Sequence, residues 1–166
     1  QWYEKAAEQG HPQAQYKLGY MYEEGHDYRK AREWYEKAAE QGHALAQFSL
    51  GCIYYHGEGV KQDYSKAREW FEKAAKQGHA KAQCNLGIMY YEGEGVKQDY
   101  SKAREWTEKA AKQGDAQAQC SLGIMYYDGE GVKQDYSKAR EWWEKAAKRD
   151  ARAQFNLADM YAQGHG

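Results

Sequence analysis

Proline occurs once in the 166 residues, at Pro12, so almost nothing in the chain interrupts a helix interior. Cysteine occurs only three times, an odd number with no CxxC pair, which excludes a disulfide scaffold and a structural zinc site. Cys84 and Cys120 stand at equivalent places in successive repeats, where stacked helices hold them about 10 Å apart, beyond disulfide reach, so free thiols are expected. Neither sign of charge dominates: 24 Lys and Arg face 25 Asp and Glu, a formal net charge of −1. That balance supplies no basic field for nucleic acid or an anionic lipid surface, and argues against both as partners. Long apolar runs are missing too. The segment from Leu86 to Tyr91 is among the longest, far below the roughly 18 to 20 residues of a membrane span, so no membrane insertion is expected.

What the chain has in quantity is glycine, 17 residues, with 16 tyrosines and 6 tryptophans. These are not scattered. The stretch from Tyr90 to Trp106, with Gly93-Glu94-Gly95-Val96-Lys97-Gln98-Asp99 at its centre, returns nearly letter for letter from Tyr54 and from Tyr126. The leucines Leu18, Leu50, Leu86, Leu122 and Leu157 set the register, at spacings of 32, 36, 36 and 35 residues. Trp2, Trp34, Trp70, Trp106 and Trp142 repeat in step. The first repeat lacks four residues of its inner loop, and the junction Lys148-Arg149-Asp150 lacks one residue, including the glycine. A period of this size marks stacked supersecondary units.

Within one repeat, Ala82, Leu86, Met89 and Tyr90 share a face and predict a helix from Ala80 to about Glu92, called helix A. Gly93 and Gly95 break it. Asp99 then supplies a carboxylate cap for a second helix, helix B, whose apolar stripe is Tyr100, Ala103, Trp106, Ala110 and Ala111. On its outer face Glu105 with Lys109 and Glu108 with Lys112 are set for i,i+4 pairing. Gly114 ends helix B in the left-handed conformation, and Asp115, or His11, His43 and His79 in its place, opens the next helix A. Rings about 10 Å apart cannot share a metal that needs nitrogens about 2 Å from one centre, so the histidines are read as caps and no metal is expected.

The repeats divide the chain into a partial unit 1–10, units of about 11–42, 43–78, 79–114 and 115–149, and a partial unit 150–166. Gln1-Trp2-Tyr3 matches Glu33-Trp34-Tyr35, and the closing residues to Gly166 match those to Gly95. The expectation is a piece of a longer protein, with any targeting segment outside it, so the compartment stays open.

The pattern Ala-Gln-x-x-Leu-Gly-x-x-Tyr-x-x-Gly-x-Gly-Val-x-x-Asp-x-x-Lys-Ala-x-x-Trp-x-x-Lys-Ala-Ala resembles the Sel-1-like repeat, a relative of the tetratricopeptide repeat, over essentially the whole chain. The resemblance implies an all-α, right-handed solenoid of antiparallel helix pairs with A helices lining a concave side. It also implies adaptor, scaffold or bacterial virulence and signalling roles. The related tetratricopeptide core places Leu86, Gly87 and Tyr90 in helix A and Ala103, Thr107 and Ala110 in helix B. Thr107 departs from the pattern, because Tyr3, Tyr35, Phe71 and Trp143 hold its place elsewhere, and a poorly filled spot is expected there. Some bacterial members carry a cysteine pair per repeat and are linked to penicillin binding. Here Ala75, Ala111 and Ala147 replace the second cysteine. Ser65, Ser101 and Ser137 read Ser-Lys-Ala-Arg, not the Ser-x-x-Lys of an activated nucleophile.

On the A helices the positions that vary from repeat to repeat are the candidate partner-binding residues. They are Tyr16 and Tyr20 in the first full repeat, and Phe48, Cys52 and Tyr55 in the second. Lys81, Ile88, Tyr91 and Glu92 follow in the third, and Ile124, Tyr127 and Asp128 in the fourth. Aromatic anchors among acids suit a protein or peptide partner. Gln15, Gln47, Gln83, Gln119 and Gln154 are expected to be buried spacers, and Glu58, Glu94 and Glu130 to be exposed. No constellation for catalysis and no cofactor motif is present, so an interaction scaffold is the expected function. The alternative is an array that self-associates through Trp2 and Tyr3 at one end and Phe155, Met160 and Tyr161 at the other.

Overall fold

The computed structural model describes residues 2–165; the matches of Gln1 and Gly166 to other repeats lie outside them. Every element among the described residues is a helix. They run α1 (Trp2–Glu8), α2 (Pro12–Glu24), α3 (Tyr28–Glu40), α4 (Ala44–His56), α5 (Tyr64–Lys76), α6 (Ala80–Glu92), α7 (Tyr100–Lys112), α8 (Ala116–Asp128), α9 (Tyr136–Ala146) and α10 (Ala151–Ala162). The even-numbered helices are the A helices and the odd-numbered ones the B helices. Two compact bodies divide the chain, one up to Ala82 and one from Gln83. In the first, α1 to α5 pack on one another in sequence; in the second, α7 to α10 do the same.

The helices after α1 start where a side chain replaces the missing acceptor of the first turn. Asp27, Asp63, Asp99 and Asp135 accept the backbone N–H of Lys30, Lys66, Lys102 and Lys138 at 3.2, 3.0, 3.0 and 3.0 Å. The expected histidine caps are present: Nδ1 of His11, His43 and His79 accepts from Ala14, Ala46 and Ala82 at 3.4, 3.3 and 3.2 Å. Asp115 does the same for Ala118 at 2.8 Å. In the shortened first loop the turn falls on His26, the one non-glycine residue with positive φ (59°) among the described residues.

Helix A and helix B of a repeat meet across a glycine. A Cβ on Gly51 would lie 2.4 Å from the Phe71 ring, on Gly19 2.7 Å from the Tyr35 ring, and on Gly123 2.4 Å from the Trp143 indole. Only a residue without a side chain admits the ring, and those rings are buried. Small alanines complete the contact: Ala31, Ala38, Ala67, Ala74, Ala103, Ala110 and Ala139 are fully buried.

Three expectations are corrected. Gln15, Gln47 and Gln83 are buried, but Gln119 is only partly so and Gln154 is exposed. Gln47 shows what the buried ones do: its amide donates to Ala39 O at 3.1 Å, and its oxygen accepts from Gln77 at 2.7 Å. At the shortened junction Arg149 stands where Gln41, Gln77 and Gln113 pair with Gln15, Gln47 and Gln83, so Gln119 loses that cover, while the Gln154 amide makes the equivalent bond to Ala147 O but at the surface. Lys112 pairs with Glu108 at 2.8 Å as expected, whereas the Lys109 ammonium lies over the Trp106 ring, 4.2 Å from its centroid, in place of pairing with Glu105. Glu58, Glu94 and Glu130 are half-buried rather than exposed, and Glu130 accepts a hydrogen bond from the Tyr91 hydroxyl.

Candidate functional site

In the first body a cavity of about 500 Å³ opens on the A-helix face, lined by Tyr16, Tyr20, Glu23, Leu45, Phe48, Ser49, Cys52, His79, Ala80 and Lys81. Its wall is aromatic because two of the cap histidines stack on a ring: His43 on Tyr16 at 4.9 Å and His79 on Phe48 at 4.6 Å between centroids. Behind them Tyr35 and Phe71 back Tyr16 and Phe48 at 5.7 and 5.8 Å. His43 Nε2 also meets Gln13 Oε1 at 2.9 Å, so one imidazole caps α4 and ties it to α2. The Tyr35 hydroxyl donates to the Glu23 carboxylate, and burial with that bond raises its pKa well above the usual phenol value.

The second body carries a cavity of about 330 Å³ on the corresponding face, lined by Gly87, Ile88, Tyr91, Glu92, Thr107, Gln117, Ser121, Ile124, Met125 and Arg152. Burial and the Glu130 hydrogen bond hold the Tyr91 phenol protonated. Asp128 is raised from the ordinary carboxylate range by burial and by the negative charge of Glu130. Arg152 is engaged locally, with Nη2 and Nε donating to Asp150 at 2.6 and 3.1 Å.

The sequence-derived candidates therefore fall into two groups. Tyr16, Tyr20, Phe48, Cys52 and Lys81 border the first cavity, and Ile88, Tyr91, Glu92 and Ile124 the second. Tyr55, Tyr127 and Asp128 line neither. Tyr55 packs edge-on to Tyr64 at 5.1 Å, while Tyr127 lies 5.4 Å from the Trp143 ring and donates to Gln163 at 2.7 Å. Residues missed by sequence reasoning are His79 as a cavity residue and the loop glutamines Gln62, Gln98 and Gln134. Each loop glutamine donates to the carbonyl of Tyr55, Tyr91 or Tyr127, at 2.7, 2.7 and 2.8 Å. Their recurrence in the repeated stretch is the signal that marks them.

Little here is built for bond-making. Burial pushes the Cys52 thiol up to about 12 and Cys120 to about 11, and raises Cys84 as well, so all three stay protonated and weakly nucleophilic at neutral pH. All three are free. No group of three or more His, Cys, Asp or Glu placed to hold a metal occurs among the described residues. No described helix is long and apolar enough to cross a membrane.

Repeated helix pairs that leave variable side chains around open cavities define a helical-repeat protein. The Sel1 repeat model matches residues 1–11, 12–43, 44–79, 80–115, 116–150 and 151–166, and the chain belongs to the Sel1 repeat family. It is similar to a protective antigen of uropathogenic Escherichia coli strains displaying an SLR fold, at 43% identity and a TM-score of 0.93, over 98% of this chain and 36% of that one. A Sel1 repeat protein from Oxalobacter formigenes is 36% identical with a TM-score of 0.88, covering 98% of this chain and 67% of that one. Helicobacter pylori cysteine rich protein B is 27% identical with a TM-score of 0.63, over 79% of this chain and 95% of that one. The chain thus spans about a third of the antigen's length and two thirds of the Oxalobacter protein's. No curated protein matches it in sequence. Sel1 repeats are in general non-catalytic scaffolds for protein–protein interaction.

Proposed function

We propose that this chain is a non-catalytic interaction module that binds a protein or peptide partner on the A-helix face, through side chains around the two cavities. The observation that carries the reading is the division of labour within each repeat. Leu18, Leu50, Leu86 and Leu122 and the facing glycines are held alike and buried, while one equivalent position changes from Tyr20 to Cys52 to isoleucine at Ile88 and Ile124 and borders open space. Apolar anchors flanked by Glu23, Lys81 and Glu92 suit recognition of an extended peptide or a partner helix.

Photo-crosslinking side chains at Tyr20, Leu45, Lys81 and Gln117, all exposed, test this against Glu33, Glu69 and Glu105 on the B helices. Crosslinks to one partner from the A set alone are expected; crosslinks from the B set alone reject the reading. Truncating Tyr91 or Tyr127 is a poorer test, because both bond to side chains of their own body. A second reading, self-association, rests on exposed Trp2 (82%) and Phe155 (71%). Sedimentation showing a strict monomer at all concentrations removes it.

A further inference from the structure

Thr107 stands where the other full repeats place Tyr35, Phe71 and Trp143 against the helix A glycine. At Gly87 the facing atom is the Thr107 hydroxyl, and both residues line a cavity. The neighbouring helix A position changes in the same direction. Phe48 packs against Phe71 and Tyr16 against Tyr35 with tilted rings, whereas the corresponding residue is Cys84 in this repeat and Cys120 in the next. The ring facing the helix A glycine is missing in this repeat alone of the four full ones, and the 330 Å³ cavity lies there with Gly87 and Thr107 in its lining. Ile88, Ile124 and Met125 make its apolar part, and exposed Glu92 and Gln117 ring its mouth. A dry cavity of about 150 Å³ already accommodates benzene.

Charge narrows the occupant further. Glu92 lines the cavity, and Asp128 and Glu130 lie close enough to Tyr91 to raise its pKa. The only cation in the lining among the described residues, Arg152, is bound to Asp150. The rim is left acidic.

We propose that this cavity is a socket for one aromatic side chain of a bound peptide, with a basic residue next to it that meets Glu92 and Asp128. The partner supplies the ring that the chain itself supplies in its other repeats. This rests on the interaction-module reading and adds the ligand's chemistry to it.

The probes are acetyl-Trp-Lys amide, acetyl-Trp-Glu amide and acetyl-Ala-Lys amide, titrated while the methyl signals of Ile88, Ile124 and Met125 are followed by NMR. The Trp-Lys peptide is expected to shift these methyls saturably, the Trp-Glu peptide to bind about tenfold or more weakly, and the Ala-Lys peptide to leave them unmoved. Thr107→Phe, which puts a ring in the socket, is expected to abolish the shifts while its melting temperature holds or rises. No methyl response to Trp-Lys in the unaltered chain overturns the socket, as does an equal response in a folded Thr107→Phe chain. Equal affinity for Trp-Lys and Trp-Glu overturns the basic neighbour. If crosslinked partners occupy the A face yet the socket stays silent, only the socket fails. If the peptide fills the socket but crosslinks come from the B helices alone, only the wider reading fails.

Discussion

Replacing Thr107 by phenylalanine is expected to stabilise the second body. Thr107 is already 97% shielded, but it lines the 330 Å³ cavity, and the glycine that a ring needs in front of it, Gly87, is in place. Phe71 shows the end state, a ring 0% exposed above Gly51. Full burial of a phenylalanine is worth about 1.5 to 3 kcal/mol over leaving it exposed. The buried threonine methyl is given up, and Ile124 and Met125 must adjust slightly, so about 1 to 2 kcal/mol net is a reasonable figure. At roughly 2 to 4 °C per kcal/mol for a chain of this size, the melting temperature should rise by about 2 to 8 °C. Far-UV circular dichroism gives the melt, with Phe71→Thr as the reciprocal variant. Emptying that site should cost about 3 kcal/mol, since the ring is fully buried. A lower melting temperature for Thr107→Phe, with Phe71→Thr behaving as stated, would show that the cavity does not correspond to the site of the missing ring.

Other consequences follow from single contacts. Gly51→Ala should destabilise by about 1 to 3 kcal/mol, opposite in sign to the usual helical Gly→Ala gain, because the new Cβ would meet the Phe71 ring at 2.4 Å; urea unfolding reads the sign directly. Asp99→Ala should cost about 1 kcal/mol through loss of the acceptor for Lys102 N–H, measured by the same method, and Asp99→Ser should restore most of it. Burial holds His43 and His79 below the usual histidine pKa, with Lys81 adding to the effect at His79. The unfolded chain then binds protons that the folded chain refuses, so stability is full at about pH 7 and declines as pH falls through about 6.5 towards the lowered folded values. His43→Asp with His79→Asp should flatten the melting temperature over that window, since an aspartate already caps α8; an unchanged pH slope would locate the effect elsewhere.

The sequence by itself determined the helix pairs, their starts and their register. A cap is a bond between a side chain and a backbone N–H two or three residues on, so Asp99 or His43 declares a helix start whatever surrounds it. Repetition did the rest, because identical strings adopt identical local structure, as the three loop glutamines bonded to tyrosine carbonyls show. Helical period likewise put Tyr16, Phe48, Ile88 and Ile124 on the A helices. Only the tertiary structure decided what each side chain meets. Gln119 and Gln154 carry the same letter as Gln47 yet lose its burial, because burial depends on whether a neighbouring helix covers the site. Lys109 chose between Glu105 and Trp106, and Glu130 between water and Tyr91, by distances across space rather than along the chain. The cavity at Thr107 is of the same kind. The missing ring was legible as an exception to the repeat, but whether Ile124 and Met125 collapse into the gap or leave it open is a matter of packing between helices, and here they leave it open.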